Sequence, residues 1–297
     1  MDNYDVIILG AGPAGLTAAI YATRYKLNIV VIGKEIGGTA SYAHKVCNYP
    51  SYNEISGTEL MMKIMEQVKV LGVEILNEEV VKITGKDGKF AVKTKKKDYL
   101  GKKIIYAGGT VRSKLNVGED KYIGKGVSYC ATCDAPLFNG KEVVVVGGSN
   151  AALTSSLLLS EYASKVYSIY RGEKFNGEPS WIELVNKNKK IKSMFNEEIA
   201  EFIGENFVEG VKLKSGKELK VEGVFIEIGG IPESYVLSTL NVKKDKKGYI
   251  ITDKSGKTSV KGFYAAGDIT DGILKQIITA CGEGAVAGFG VYGELKG

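Results

Sequence analysis

The feature that most constrains the fold is a strand, glycine turn, helix and strand unit written twice. The chain opens with Asp5-Val6-Ile7-Ile8-Leu9, an unbroken apolar run that reads as a buried strand. Gly10-Ala11-Gly12-Pro13-Ala14-Gly15 follows, then a helical stretch from Leu16 to Tyr25 and a second strand from Asn28 to Ile32. The glycine run fits G-x-G-x-x-G. Gly10 makes the tight turn, Gly12 lets a pyrophosphate approach the backbone, and Gly15 lets helix pack on strand. The phosphates then sit at the helix N-terminus, where free N–H groups and the dipole favour anions. Glu35, 20 residues beyond Gly15, stands where an acidic side chain bonds ribose hydroxyls. With every part in register, Gly10, Gly12, Pro13, Ala14, Gly15 and Glu35 are candidate dinucleotide contacts.

The pattern restarts at residue 143. Val143 to Val146 reads as a strand, Gly147-Gly148-Ser149-Asn150-Ala151-Ala152 as its turn, Ala151 to Tyr162 as a helix and Lys165 to Tyr170 as the returning strand. This second cradle is degraded. Ser149 occupies the position whose missing side chain normally admits the pyrophosphate. An NADP site also wants arginines after the second strand, but Tyr170-Arg171-Gly172-Glu173 offers one, with a carboxylate beside it. Each unit is followed by strand-rich sequence, Lys89 to Ala107 and Val208 to Ile228. The fold class expected is α/β, with two Rossmann-like nucleotide-binding-type domains of three-layer ββα form; 297 residues suit two domains. Near the end stands Gly262-Phe263-Tyr264-Ala265-Ala266-Gly267-Asp268, a strand and a glycine turn ending in a carboxylate. A helix from about Gln276 to Tyr292 follows.

Four cysteines occur: Cys47, Cys130, Cys133 and Cys281. Cys130-Ala131-Thr132-Cys133 is a C-x-x-C, which points to redox chemistry or half a zinc site. No second C-x-x-C completes four ligands and His44 is the only histidine, so no metal is expected. Cys47, Cys281 and Trp181 read as packing residues. The net charge is +6, yet only Arg24, Arg112 and Arg171 among 40 basic residues are arginines. Nucleic-acid binding usually adds arginine and interleaved aromatics, so none is expected; a mild attraction for acidic proteins remains. No apolar run approaches the roughly 20 residues of a membrane helix, and the acidic start lacks a basic n-region. The expected location is cytoplasmic.

Together, Gly10 to Gly15, Gly37-Gly38, Asn48-Tyr49-Pro50, Cys130 to Asp134, Gly147 to Ala152 and Gly262 to Asp268 resemble the low-molecular-weight thioredoxin reductase family across almost the whole chain. The cysteine motif just before the second unit is the most specific part. The resemblance implies a discontinuous FAD domain, 1–112 plus 241–297, and a redox-disulfide domain, 113–240. It assigns FAD as cofactor and adds Gly38, Asn48, Gly267, Asp268, Gln276 and Ile277 to the cofactor contacts. It makes Cys133 the flavin-facing thiol and Cys130 the one that attacks thioredoxin, and implies a homodimer. It also implies a central domain that swings about links near Arg112–Leu115 and Leu240–Lys244. Asp134 is the candidate general acid, since the chain is so poor in histidine; the alternative is a helix N-cap.

Ser149 and Tyr170-Arg171-Gly172 depart from the NADPH-dependent members, which carry a third glycine and a histidine-arginine-arginine cluster there. Thr39 and Lys275 depart from the usual glutamine and arginine. The sequence is most similar to the ferredoxin-dependent flavin thioredoxin reductases of clostridia, which makes ferredoxin the expected electron donor. An NADPH-dependent reductase with a divergent nucleotide site and a non-catalytic flavin-bound redox sensor are the rivals.

Overall fold

The computed structural model describes residues 3–296. In chain order the first elements are β1 (Asn3–Leu9), α1 (Pro13–Arg24), β2 (Ile29–Gly33), α2 (Gly57–Val70), β3 (Glu74–Asn77), β4 (Val80–Lys86), β5 (Lys89–Thr94), β6 (Asp98–Tyr106) and β7 (Thr110–Arg112). The middle of the chain gives β8 (Val127–Ser128), α3 (Ala131–Asp134), β9 (Glu142–Val146), α4 (Asn150–Tyr162), β10 (Lys165–Tyr170), α5 (Pro179–Lys187), β11 (Ile191–Phe195), β12 (Ile199–Ile203), β13 (Gly210–Leu213), β14 (Glu218–Leu219) and β15 (Gly223–Ile226). β16 (Gly230–Pro232), β17 (Phe263–Ala265) and α6 (Ile277–Lys296) complete it.

These elements form two units. The first comprises 1–41, 46–111 and 231–297, the second 42–45 and 112–230. In the first, β3, β2, β1, β6 and β17 run parallel, and β5 and β4 continue the sheet antiparallel from β6. Parallel strands covered on both faces need apolar residues at every position, which is why Ile7, Ile8, Val30, Val31, Ile104 and Ile105 are all fully buried. Alternate residues divide the work. Ile7, Val30, Ile104 and Phe263 pack in one cluster with Ile83, Phe90 and Val92 of the antiparallel ribbon. On the other face α1 lies close, because Gly15 has no side chain to hold it off: a Cβ there would fall 1.8 Å from the Gly10 carbonyl oxygen.

The second unit repeats the plan. β11, β10, β9, β15 and β8 form a parallel sheet. Val143, Val145 and Phe225 pack with Leu158 and Leu159 of α4 on one face. Val144, Val146 and Ile226 pack with Phe202, Val211 and Leu219 of the β12–β13–β14 sheet on the other.

The chain leaves the first unit at Val111 and returns at Ile231, not near residue 241. Leu240 to Lys244 therefore cannot be a link between units. Val236, Leu237 and Val242 are buried in the first unit's core beside Phe90 and Phe263, and apolar side chains that close a core stay with it. The two crossings, β7 and β16, pair with each other. Among the described residues no helix is long and apolar enough to cross a membrane.

Candidate functional site

The first unit carries a cradle built from both ends of the chain. Gly10 sits at φ +112°, and a Cβ there would fall 2.1 Å from the Ala107 carbonyl oxygen. Only glycine tolerates both the conformation and the crowding. Gly12 is different: a Cβ on it would meet nothing nearer than Gly38, at 3.9 Å. Its bare Cα therefore faces open space at the head of α1. Pro13 fills the first helical position, where a missing N–H costs nothing, and no acidic residue in the first turn competes for the helix N-terminus. Beyond the end of β2, the segment containing Glu35 is tied back: the Gly37 N–H donates to the Ala11 carbonyl and the Gly38 N–H to the Glu35 carbonyl.

Residues from the far end of the sequence close this cradle. Gly267, at φ +83°, lies against Ala14, where a Cβ would come within 2.9 Å of the Ala14 Cβ. α6 also approaches Ala14, through Gly284. Just before α6, the Gln276 Oε1 accepts a 3.0 Å hydrogen bond from Asn48 Nδ2. Burial pushes the Asp268 carboxyl up, against the pull of Lys275 and with the help of Glu283. The same burial pushes the Lys275 ammonium down. Glu283 holds the turn in place: its Oε2 accepts from the Gly267 N–H at 2.8 Å and the Thr270 hydroxyl at 2.9 Å. Sequence reading missed Glu283, because the only signal is a carboxylate nearly two helical turns inside an apolar helix.

An open glycine, a helix N-terminus aimed at it, an acid beyond β2 and a carboxylate turn on the opposite side fit a dinucleotide. The structure thus brings Gly10, Gly12, Pro13, Ala14, Gly15 and Gly38 together with Gly267. Asn48 and Gln276 form a second linked pair, with Ile277 opening α6.

The second unit carries the C-x-x-C cysteine pair. Cys130 caps the single turn of α3 and is disulfide-bonded to Cys133. The Cys130 Sγ accepts a 3.2 Å hydrogen bond from the Cys133 N–H, so a thiolate on Cys130 would find a donor already in place. Ser128 is the residue that sequence reading overlooked. Its buried hydroxyl accepts from the Cys130 N–H at 2.9 Å and donates to Asp134 Oδ2 at 2.6 Å. The Asp134 side chain makes no cap bond to the turn that follows it, so the N-cap reading fails on geometry. Cys281 is buried and Cys47 exposed, and neither is in a disulfide. Burial pushes the Cys281 thiol up, away from the reactive thiolate, while bonds with Thr17 and Tyr49 pull the other way.

The second glycine turn differs from the first. Ser149 is the N-cap of α4 but makes no capping bond. A Cβ on Gly148 would lie 2.6 Å from the Tyr170 ring, and the same ring flanks Gly172. Tyr170 thus packs against the Gly148 side of this turn. Asn150, at the head of α4, is engaged with Glu178: its Nδ2 donates to Glu178 Oε1 at 2.8 Å and its Oδ1 accepts the Glu178 N–H at 2.7 Å. Arg171 and Glu173 are exposed.

Comparison with known proteins gives the family of the chain. The family described as pyridine nucleotide-disulphide oxidoreductase matches residues 4–284. A thioredoxin reductase of Ureaplasma parvum is 38% identical over 291 residues, covering 96% of this chain and 94% of its own. The crystal structure of T. acidophilum thioredoxin reductase is 36% identical, covers 100% of both chains and superposes with a TM-score of 0.95. A ferredoxin-flavin thioredoxin reductase from Clostridium acetobutylicum is 34% identical over 99% of each chain, with a TM-score of 0.56. A dinucleotide cradle and a C-x-x-C disulfide on two Rossmann-like units define an FAD-binding flavoprotein disulfide reductase. Within that class the chain belongs to the low-molecular-weight thioredoxin reductase family.

Proposed function

We propose that this thioredoxin reductase takes its electrons from reduced ferredoxin and not from NADPH, and reduces thioredoxin through Cys130 and Cys133. The observation that carries the donor assignment is the Tyr170 ring over Gly148, reinforced by Ser149 and by the Asn150–Glu178 pair. The ferredoxin-flavin reductase among the matched structures supports the same reading.

The first unit holds FAD through Gly10, Gly12, Pro13, Ala14, Gly15, Glu35, Gly38, Asn48, Gly267, Asp268, Gln276 and Ile277. FAD, when bound, accepts electrons singly and passes them on in pairs. Lys275 and Asp268 set the local charge near the carboxylate turn, and the head of α6 favours negative charge beside it. In the second unit Cys133 receives the electrons and Cys130 attacks the disulfide of thioredoxin. Thiol–disulfide exchange requires one thiolate to attack and another to leave. The Cys133 N–H steadies the sulfur of Cys130, and Asp134, oriented by Ser128, takes the proton that the Cys130 thiol loses and gives it to the departing thiolate. Turnover requires the second unit to move about the paired crossings β7 and β16.

The energetics suit this donor. Plant-type ferredoxins lie near about −400 mV and thioredoxin near about −270 mV, so two electrons release roughly 6 kcal/mol. A net charge of +6 attracts acidic ferredoxins by long-range steering. The working unit is a homodimer in the cytoplasm. The exposed apolar side chains Tyr21 of α1 and Ile278, Val286 and Phe289 of α6 supply a face for a second copy. The test is anaerobic mixing: reduced ferredoxin bleaches the flavin within turnover time, and millimolar NADPH leaves it yellow. Bleaching by NADPH with ferredoxin inert would establish the NADPH-dependent reductase instead.

A further inference from the structure

Between Asp268 and Gln276, two of the residues that hold FAD in the reading above, the first unit makes a short loop, 271–275. Its tip is apolar and lies in water: Ile273 is fully exposed and Leu274 about half exposed. A second segment, 243–251, is bonded alongside. The Ile250 N–H donates to the Ile269 carbonyl at 2.9 Å and the Asp271 N–H to the Ile250 carbonyl at 3.0 Å. The Lys275 ammonium lies 4.6 Å from the centre of the Tyr249 ring. Ile251, next in that segment, is exposed as well. Single exposed apolar residues are ordinary. Three on two bonded segments beside the FAD turn make a patch, and such patches mark interaction sites.

The second segment reads Lys243-Lys244-Asp245-Lys246-Lys247, and most of its positive charge is unspent. Lys243, Lys246 and Lys247 are exposed, and among the described residues no carboxylate comes within ion-pair reach of their ammonium groups. The two acids nearby turn into the backbone. Asp245 Oδ1 accepts the N–H groups of Lys247 and Tyr249 at 2.8 Å each, and Asp271 Oδ1 accepts that of Thr252 at 3.3 Å. The other two lysine runs are engaged. Lys95 pairs with Glu79 at 2.7 Å and Lys96 stands 4.0 Å from Glu78. Lys187 pairs with Glu183, and Lys190 donates to the Ser160 and Ala163 carbonyls.

We propose that Ile273, Leu274 and the lysines of 243–247 form the docking surface for the electron donor, an acidic iron–sulfur protein. This deepens the reading of ferredoxin as donor and rests on it. Carriers that must leave after each electron make small interfaces, with an apolar centre and a charged rim. The rim sets the rate of encounter more than the strength of the complex. Here the apolar tip springs from the wall of the FAD cradle, and the unpaired lysines flank it. Each docked carrier is oxidised by one electron. Two visits supply the pair that, with two protons from water, converts the Cys130–Cys133 disulfide into two thiols. A second copy of this chain is the weaker occupant, because an isologous contact sets the same lysines against each other.

The experiment uses the FAD-loaded enzyme, mixed anaerobically with a reduced, acidic clostridial [4Fe–4S] ferredoxin at low and high salt. One variant combines Lys243→Glu, Lys246→Glu and Lys247→Glu. A control makes the same change in net charge at exposed lysines elsewhere, Lys82→Glu, Lys189→Glu and Lys212→Glu. The expected result is a second-order rate of flavin bleaching about tenfold lower in the first variant than in the control at low salt, the gap closing as salt screens the charges. Ile273→Ser with Leu274→Ser is expected to raise the ferredoxin concentration for half-maximal rate about tenfold and to leave the salt dependence as in wild type. Photoreduction by a small deazaflavin, which needs no docking, proceeds alike in all of them. If the glutamate variant loses FAD, the three glutamine exchanges replace it, with a smaller change in the same direction. A 243–247 variant no slower than its control overturns the proposal. So does dissociation of a dimer by Ile273→Ser with Leu274→Ser, seen by sedimentation, which would give the patch to a second copy. If ferredoxin leaves the wild-type flavin yellow while NADPH bleaches it, it is the donor reading that fails.

Discussion

The Ser128 hydroxyl donates a 2.6 Å hydrogen bond to the Asp134 carboxylate while accepting the N–H of Cys130. One buried side chain therefore ties the backbone of Cys130 to Asp134, its candidate acid. Positioned general acids contribute typically about 100- to 10,000-fold. Asp134→Asn is expected to slow thioredoxin reduction at least tenfold with FAD content unchanged, and Ser128→Ala to slow it less. Stopped-flow measurement of reoxidation by thioredoxin decides this; an Asp134→Asn enzyme as fast as wild type would remove Asp134 from the mechanism.

The roles of the two sulfurs are separable. Cys133→Ser leaves Cys130 free to attack, with no partner thiol to resolve the product. It is expected to accumulate a mixed disulfide with thioredoxin, visible by mass spectrometry and reversed by dithiothreitol. Accumulation in Cys130→Ser alone would reverse the assignment.

FAD held with its phosphates at the head of α1 would depend on the open Cα of Gly12. A branched side chain there would fill the space that a Cβ now finds empty out to 3.9 Å, while the helix itself tolerates the residue. Gly12→Val is expected to purify folded and colourless, and Asp268→Ala to lose FAD on dilution far faster than wild type. A yellow Gly12→Val protein with full FAD content would contradict the placement of the phosphates.

Acid should loosen the first unit through Glu294. Lys103, nearly buried, bridges Asp87 and Glu294 at 2.7 Å each, and Lys257 reaches Glu294 at 2.9 Å. Burial alone would raise the Glu294 carboxyl; bonds from Lys103, Lys257 and Tyr264 reverse this and hold it at about 2, below the usual 4.5. A depressed carboxylate stabilises the fold fully above its unfolded value and loses that contribution as pH falls towards its folded one. Glu294→Gln is therefore expected to lower the urea midpoint at pH 7, and the gap from wild type to narrow between about pH 4.5 and pH 2. A gap that stays constant with pH would assign the effect to packing.

Much of this was readable from residue order alone, and the reasons differ by element. β1, α1 and β2 fall within a few residues of the expected bounds because the glycine run fixes where strand ends and helix begins. α2 was overlooked although Ser56 and Glu59 carry its signature, with the Glu59 N–H bonded to the Ser56 hydroxyl. No motif drew attention to it. The return crossing was set too late because Val236 and Leu237 look like any short apolar run until the core they fill is known. Ser128 and Glu283 matter through partners distant in sequence or through backbone N–H groups, and spacing does not record such contacts.

The seam between β6 and β17 also has a consequence in time. On the ribosome, Tyr106 at the end of β6 emerges about 160 residues before Ala265 at the end of β17, a delay of roughly 8–32 s at 5–20 residues per second. Through that interval the apolar edge of β6 lacks the neighbour it will pair with, and α1 lacks α6. The second unit, almost wholly one continuous stretch, can finish while the first still waits. The earliest-made part of the molecule is thus the last to be sealed, and nascent chains should be most vulnerable to aggregation and proteolysis along that open strand.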